Sequence, residues 1–196
     1  GRINVRRTTQ RPASREALQT MTSNLSLAAR VISEGFLPAR SALLQGPREP
    51  VSGPVSPNRI RGMLLGLAIG DALGNTSESL PVLEREARHG EIRDYLPNSR
   101  SAGRRVGLPS DDSQLAFWTL ESLLERGGLD PDDLSARFAA REIFGLGKSM
   151  QQFLRNREQG ATSWYHYGAE SAGNGALMRI APLALLHPQG TSAALW

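Results

Sequence analysis

Residues 59–74, RIRGMLLGLAIGDALG, decide the fold. Ile60, Met63, Leu64, Leu67 and Asp71 fall at offsets of three and four, which is one face of an α-helix. Gly62, Gly66, Gly70 and Gly74 recur every fourth residue on another face. Each interior glycine costs a helix about 1 kcal/mol relative to alanine, so the repeat predicts close approach of a second backbone. Asp71 closes the apolar stripe, where a carboxylate is desolvated and needs a hydrogen-bonding or ionic partner to stay charged. It reads either as part of a site with the polar loop that follows or as a buried cap for a neighbouring helix.

On either side of this helix the punctuation is that of loops and more helices. Downstream, Asp112 to Glu125 reads as a second helix and Pro131 to Arg141 as a third, with Asp130 as its cap and proline at its first position. Lys148 to Arg157 reads as a fourth, and a fifth starts near Asn174, kinked or split at Pro182. No period-two alternation joined by a hairpin turn is present, so the fold class is all-α. Upstream, Pro47, Pro50, Pro54 and Pro57 with Gly46 and Gly53 cannot propagate helix or sheet. Residues 1–56 are therefore expected to be a disordered basic leader, with one amphipathic helix available from Ala17 to Ile32, and the domain is expected to occupy 57–196.

With 196 residues and 39% hydrophobic content, the chain is long enough for one ordinary domain. The formal charge of +4 is unevenly placed, because residues 1–58 hold eight Arg against Glu16, Glu34 and Glu49, leaving about −1 for the rest. No aromatic-studded basic face accompanies the leader, so nucleic acid is not expected as a partner. Neither is a membrane, since the longest apolar run is broken by glycine and ends at Asp71. Cysteine is absent, which excludes disulfides and thiolate metal sites and fits a cytoplasmic protein. His89, His166 and His187 do not fall at zinc-site spacing, so any metal is expected to be a hard cation on oxygen ligands.

Four short motifs carry chemistry. Ser110-Asp111-Asp112-Ser113 puts several hard oxygen donors at one helix start, although the same residues are also ordinary capping. Asn75 to Ser79 is a polar helix exit in which Glu78 is free to face a ligand. Gly145-Leu146-Gly147-Lys148-Ser149 ends like a phosphate-binding P-loop, but the glycine such a loop needs five residues before Gly147 is Glu142. What is left is a glycine loop opening a helix, suited to phosphate or serving as a plain turn. Ser171-Ala172-Gly173-Asn174-Gly175 opens onto Ala176 to Arg179 in the same manner, with bare backbone that permits close approach to a diphosphate or ribose.

In order, spacing and wording these segments resemble the successive signatures of the ADP-ribosylglycohydrolases: Arg61-Gly62 with Gly66 through Gly74, then Leu108 through Ala116, then Ser171 through Pro182. The resemblance implies an all-α helical bundle around two magnesium or manganese ions that removes ADP-ribose from a modified protein or from a small molecule. It also implies roles. Ser110, Asp111 and Asp112 would be metal ligands, with Asp111 and Asp112 counted among the catalytic residues. Glu78 would be catalytic, and Gly145, Gly147, Ser171, Gly173, Asn174 and Gly175 would bind the diphosphate and distal ribose. Asp71 would be a structural support. Ser110 stands where the family commonly has threonine, which keeps the hydroxyl. The family's second metal motif, near its C-terminus, has no counterpart here, and Asp130-Pro131-Asp132-Asp133 is no substitute because Pro131 starts a helix. Both ends of the chain read as cut, so half the metal ligands are missing and the 196-residue chain is expected to be inactive alone. A catalytically silent ADP-ribose-binding or structural member of the same fold is the alternative.

Overall fold

The computed structural model describes residues 26, 29–35, 55–161 and 163–186. Helix α1 spans Pro57–Gly74, α2 Val82–His89, α3 Asp111–Arg126, α4 Pro131–Ala140, α5 Lys148–Glu158 and α6 Leu183–Leu186. Single 3₁₀ turns lie at Ser99–Ser101, Trp164–His166 and Leu177–Arg179. Among the described residues the only β-type pairing is one antiparallel bridge between Pro97 and Arg105, so the all-α class holds.

The helix starts follow local chemistry. The Ser56 hydroxyl accepts the Arg59 amide at 3.3 Å ahead of Pro57, and the Asp130 carboxylate accepts the amides of Asp132 and Asp133 ahead of Pro131. Helix α3 ends at Gly127, which adopts the left-handed conformation (φ 69°). This helix is the hub, with α1, α4, α6 and the Leu177–Arg179 turn packed on it. Leu115 and Ala116 are fully buried along its length and Leu123 almost so. Leu115 joins Phe138 of α4 and Met150 of α5 in a core to which Trp118, Ile143, Phe153 and Met178 add partly buried surface. On the far side, Asp133 receives hydrogen bonds from Ser122, Arg126 and Arg137, tying the start of α4 to the last turns of α3.

Three expectations from the sequence are corrected. The segment from Asn174 is split at Pro182 as expected, since proline lacks the amide that would continue the ladder, but its first part is a single 3₁₀ turn at Leu177–Arg179 rather than α-helix, with the short α6 following Pro182. Helix α2 was not anticipated; it is eight residues long and buries none of them, and its signals are electrostatic. Glu84 sits in its first turn and pairs with Arg88 in its last. Finally, among the described residues no second backbone closes on the glycines of α1. A methyl group built on Gly62, Gly66, Gly70 or Gly74 would meet nothing within 4 Å among the described residues, and Ala72 is the one buried residue of that helix.

Within the stretch read as leader, residues 29–33 are helical, Val31 is buried and the Arg30 guanidinium sits 5.9 Å from the centre of the Tyr165 ring. Glu34 lies 3.6 Å from His166 Nε2. The rest of the expected helix from Ala17 to Ile32, apart from Ser26, and the rest of the leader lie outside the described residues.

Candidate active site

The first two motifs meet through Asp71. Its Oδ2 accepts the Ser110 amide at 2.8 Å, the Ser113 amide at 3.1 Å and the Ser113 hydroxyl at 2.6 Å. Its Oδ1 accepts the Ser110 hydroxyl at 2.7 Å and the Asn75 side-chain amide at 3.0 Å. Asp71 is therefore the cap of the neighbouring helix α3, anchored from α1 across about forty residues of sequence. Burial pushes its carboxyl up, but the hydrogen bonds from Ser113, Asn75 and Ser110 outweigh burial and hold it below the ordinary carboxylate range.

With Asp71 serving as the structural carboxylate, Asp111 and Asp112 are released from capping. Ser110 is itself the formal cap, its hydroxyl accepting the Asp112 amide at 3.4 Å, and Asp111 and Asp112 occupy the first turn of α3. Asp111 is buried and raised above its ordinary value chiefly by that burial, with the nearby amides of Asp111 itself and Gly147 pulling the other way. Asp112 is raised by burial and by the negative charges of Asp71 and Asp111. Glu78 projects from the loop after α1, and its carboxyl is raised first by partial burial and then by Asp112, Asp111 and Asp71. Glu78 and Asp112 thus feel the charges of neighbouring carboxylates, which suits a cation, while the Arg179 guanidinium lies near enough to Asp111 to act against its charge. Among the described residues no group of three or more His, Asp or Glu is placed to hold a metal ion by itself.

The glycine loops come to the same end of α3. Gly145 has φ 78°, and a methyl group there would lie 3.2 Å from Asp111 Oδ1 and 3.3 Å from Ser110 Cβ. Gly147, at φ −70°, caps α5 and has open space around it. Ser149 on the first turn of α5 donates to the Ser171 hydroxyl at 2.8 Å, and that oxygen also accepts the Gly173 amide at 3.1 Å. The two loops are therefore joined. Asn174 is exposed, and its carbonyl accepts the Leu177 amide; Gly175 follows it without a close neighbour.

A cavity of about 200 Å³ opens beside the carboxylates, lined by Asn75, Thr76, Glu78, Asn98, Ser99, Arg100, Leu108, Ser110 and Gly145. Ser171, Gly173 and Asn174 are not among its walls. Asn98, Ser99 and Arg100 were not anticipated from the sequence. Their signal was an Asn-Ser-Arg-Ser turn ahead of Gly103, which reads as ordinary loop chemistry.

Gly145→Ala is expected to lower stability by about 1–2 kcal/mol, because an L-residue is strained at that φ and its methyl group crowds Ser110 and Asp111. Gly147→Ala should change little. Denaturant midpoints of the two variants test this contrast, and equal midpoints would show that the loop accommodates a side chain at 145.

The sequence profile of ADP-ribosylglycohydrolases matches residues 53–195. An uncharacterized protein of Archaeoglobus fulgidus is 33% identical over 133 residues, which cover 66% of this chain and 43% of that protein. The ADP-ribosyl-[dinitrogen reductase] glycohydrolase of Rhodospirillum rubrum is 32% identical, covering 69% of this chain and 47% of the enzyme. ADP-ribosylarginine hydrolase Tri1 of Pseudomonas putida is 29% identical, with 71% of this chain and 39% of that protein aligned. The chain spans less than half the length of these relatives. With the profile running over most of its residues, the chain belongs to the ADP-ribosylglycohydrolase family.

Proposed function

We propose that the whole protein hydrolyses the glycosidic bond joining ADP-ribose to a modified protein side chain or small molecule, with magnesium or manganese as cofactor. The observation that carries this reading is the convergence of Glu78, Ser110, Asp111 and Asp112 beside a cavity whose wall is the bare backbone of Gly145. The donor set fits hard divalent cations: hydroxyl and carboxylate oxygens only, gathered where their mutual repulsion favours a positive guest. Ser110, Asp111 and Asp112 would hold it, and when bound it would supply Lewis-acid stabilisation and orientation of the ribose hydroxyls.

The chain's own residues account for the remaining requirements. The Gly145–Gly147 loop and the joined Ser171–Gly175 loop bind the diphosphate and distal ribose through backbone amides, so that remote binding energy positions the anomeric carbon. Hydrolysis breaks the bond from that carbon to nitrogen or oxygen and forms a bond to water oxygen. Glu78, whose carboxyl is raised by partial burial and by the neighbouring carboxylates, takes the proton from water at one of its Oε atoms and returns it to the leaving atom. Among the described residues no helix is long and apolar enough to cross a membrane, and the partner is an ADP-ribosylated protein or an ADP-ribose-containing metabolite.

Release of ADP-ribose from arginine-, serine- and nucleotide-linked substrates tests the proposal and identifies the linkage. The whole protein should release it from at least one substrate with magnesium or manganese present and stop when the cation is chelated. Binding of ADP-ribose without turnover on any linkage would instead support a silent binding member of the same fold.

A further inference from the structure

We propose, building on the ADP-ribose reading above, that Arg100 is a specificity-determining residue that binds the diphosphate of the ligand from the wall of the cavity that Glu78 also lines. The physical problem is repulsion. Glu78 lines a small cavity and feels the charges of Asp112 and Asp111 behind it, so a ligand with two negative phosphates entering there needs compensating charge. Arg100 is the cationic side chain lining that cavity.

Its surroundings hold it for that purpose. The Arg100 amide donates to Asn98 Oδ1 at 2.9 Å, and the Ser101 hydroxyl lies 2.9 Å from the Asn98 carbonyl and 2.8 Å from that of Arg104. Asn98 and Ser101 are both buried, so the turn that carries Arg100 is fixed rather than loose. The guanidinium lies 4.9 Å from the centre of the Phe144 ring, with Nη2 3.9 Å from the point where a methyl group on Gly145 would sit. Stacking leaves its N–H edge available while limiting the conformational freedom lost on binding. Arg126 and Arg137, by contrast, are committed to Asp133, and Arg141 to Glu121. Among the described residues no carboxylate pairs with Arg100, although Glu78 lines the same cavity. A planar, always charged fork beside the bare backbone of Gly145 matches phosphate oxygens.

Calorimetry with ADP-ribose and with inorganic pyrophosphate on the wild-type protein, Arg100→Gln, Arg100→Lys and Arg93→Gln tests the assignment. Arg93, exposed and paired with Glu91, controls for loss of one positive charge. Arg100→Gln should weaken ADP-ribose binding by about tenfold or more, Arg100→Lys by less, and Arg93→Gln not at all, with unchanged melting temperatures. Unaltered ADP-ribose affinity in Arg100→Gln, or an equal loss in Arg93→Gln, would overturn the role of Arg100 while leaving the ADP-ribose reading intact. Arg100-dependent binding of pyrophosphate without binding of ADP-ribose would keep the anion site and end the ADP-ribose reading. Binding of neither would overturn both.

Discussion

Asp71→Ala is expected to be the most destabilising single substitution in the described region, with a loss of about 3 kcal/mol or more in unfolding free energy. Five donors converge on this one carboxylate: the amides and hydroxyls of Ser110 and Ser113, and the side chain of Asn75. Ser110 and Ser113 are buried, so their donors would have no water to replace the lost acceptor. A buried donor left unsatisfied costs about 1–3 kcal/mol, and several would be orphaned together. Against a total stability on the order of 5–15 kcal/mol that loss is large. Asparagine should rescue only in part, because its NH₂ would face groups that are all donors. Denaturant midpoints read the effect. A midpoint within error of wild type for Asp71→Ala would show that α3 does not depend on the cap donated by α1.

The same residue shows what the sequence could and could not reveal. The requirement that Asp71 find a partner was legible, since a carboxylate at the end of an apolar stripe is desolvated. The identity of that partner was not, because the start of α3 lies about forty residues away and periodicity carries no information about which helix end it will meet. Helices α3, α4 and α5 were legible because each combines a cap with an apolar face. Helix α2 escaped because it buries nothing and therefore lacks the pattern that marks a helix face. The glycine repeat of α1 was legible as a pattern, yet its expected neighbour is absent among the described residues. At the site, Ser110, Asp111, Asp112 and Glu78 were recognisable from their motifs. Arg100 became visible only when the turn at Ser99–Ser101 placed it in the wall of the cavity that Glu78 and Ser110 also line.

Asp112→Asn is expected to separate stability from function, in contrast to Asp71→Ala. Among the described residues no hydrogen bond reaches the Asp112 side chain, and the influences on its carboxyl are burial and the like charges of Asp71 and Asp111. Removing its charge therefore breaks no structural contact and relieves repulsion at the start of α3, so stability should hold or rise by a few tenths of a kcal/mol. Catalysis should respond in the opposite sense. A carboxylate crowded by like charges gains most when something positive occupies the site, and the amide is a much weaker ligand for a hard cation. In the whole protein, cation-dependent release of ADP-ribose should fall on the order of a thousandfold, mostly in kcat, while ADP-ribose binding through the glycine loops changes little. Asn174→Ala should show the converse pattern, a raised KM with kcat largely kept, if Asn174 holds a remote part of the ligand as proposed. Wild-type turnover in Asp112→Asn would remove Asp112 from the cation site, whereas a marked fall in its melting temperature would mean that this carboxylate supports the fold as Asp71 does.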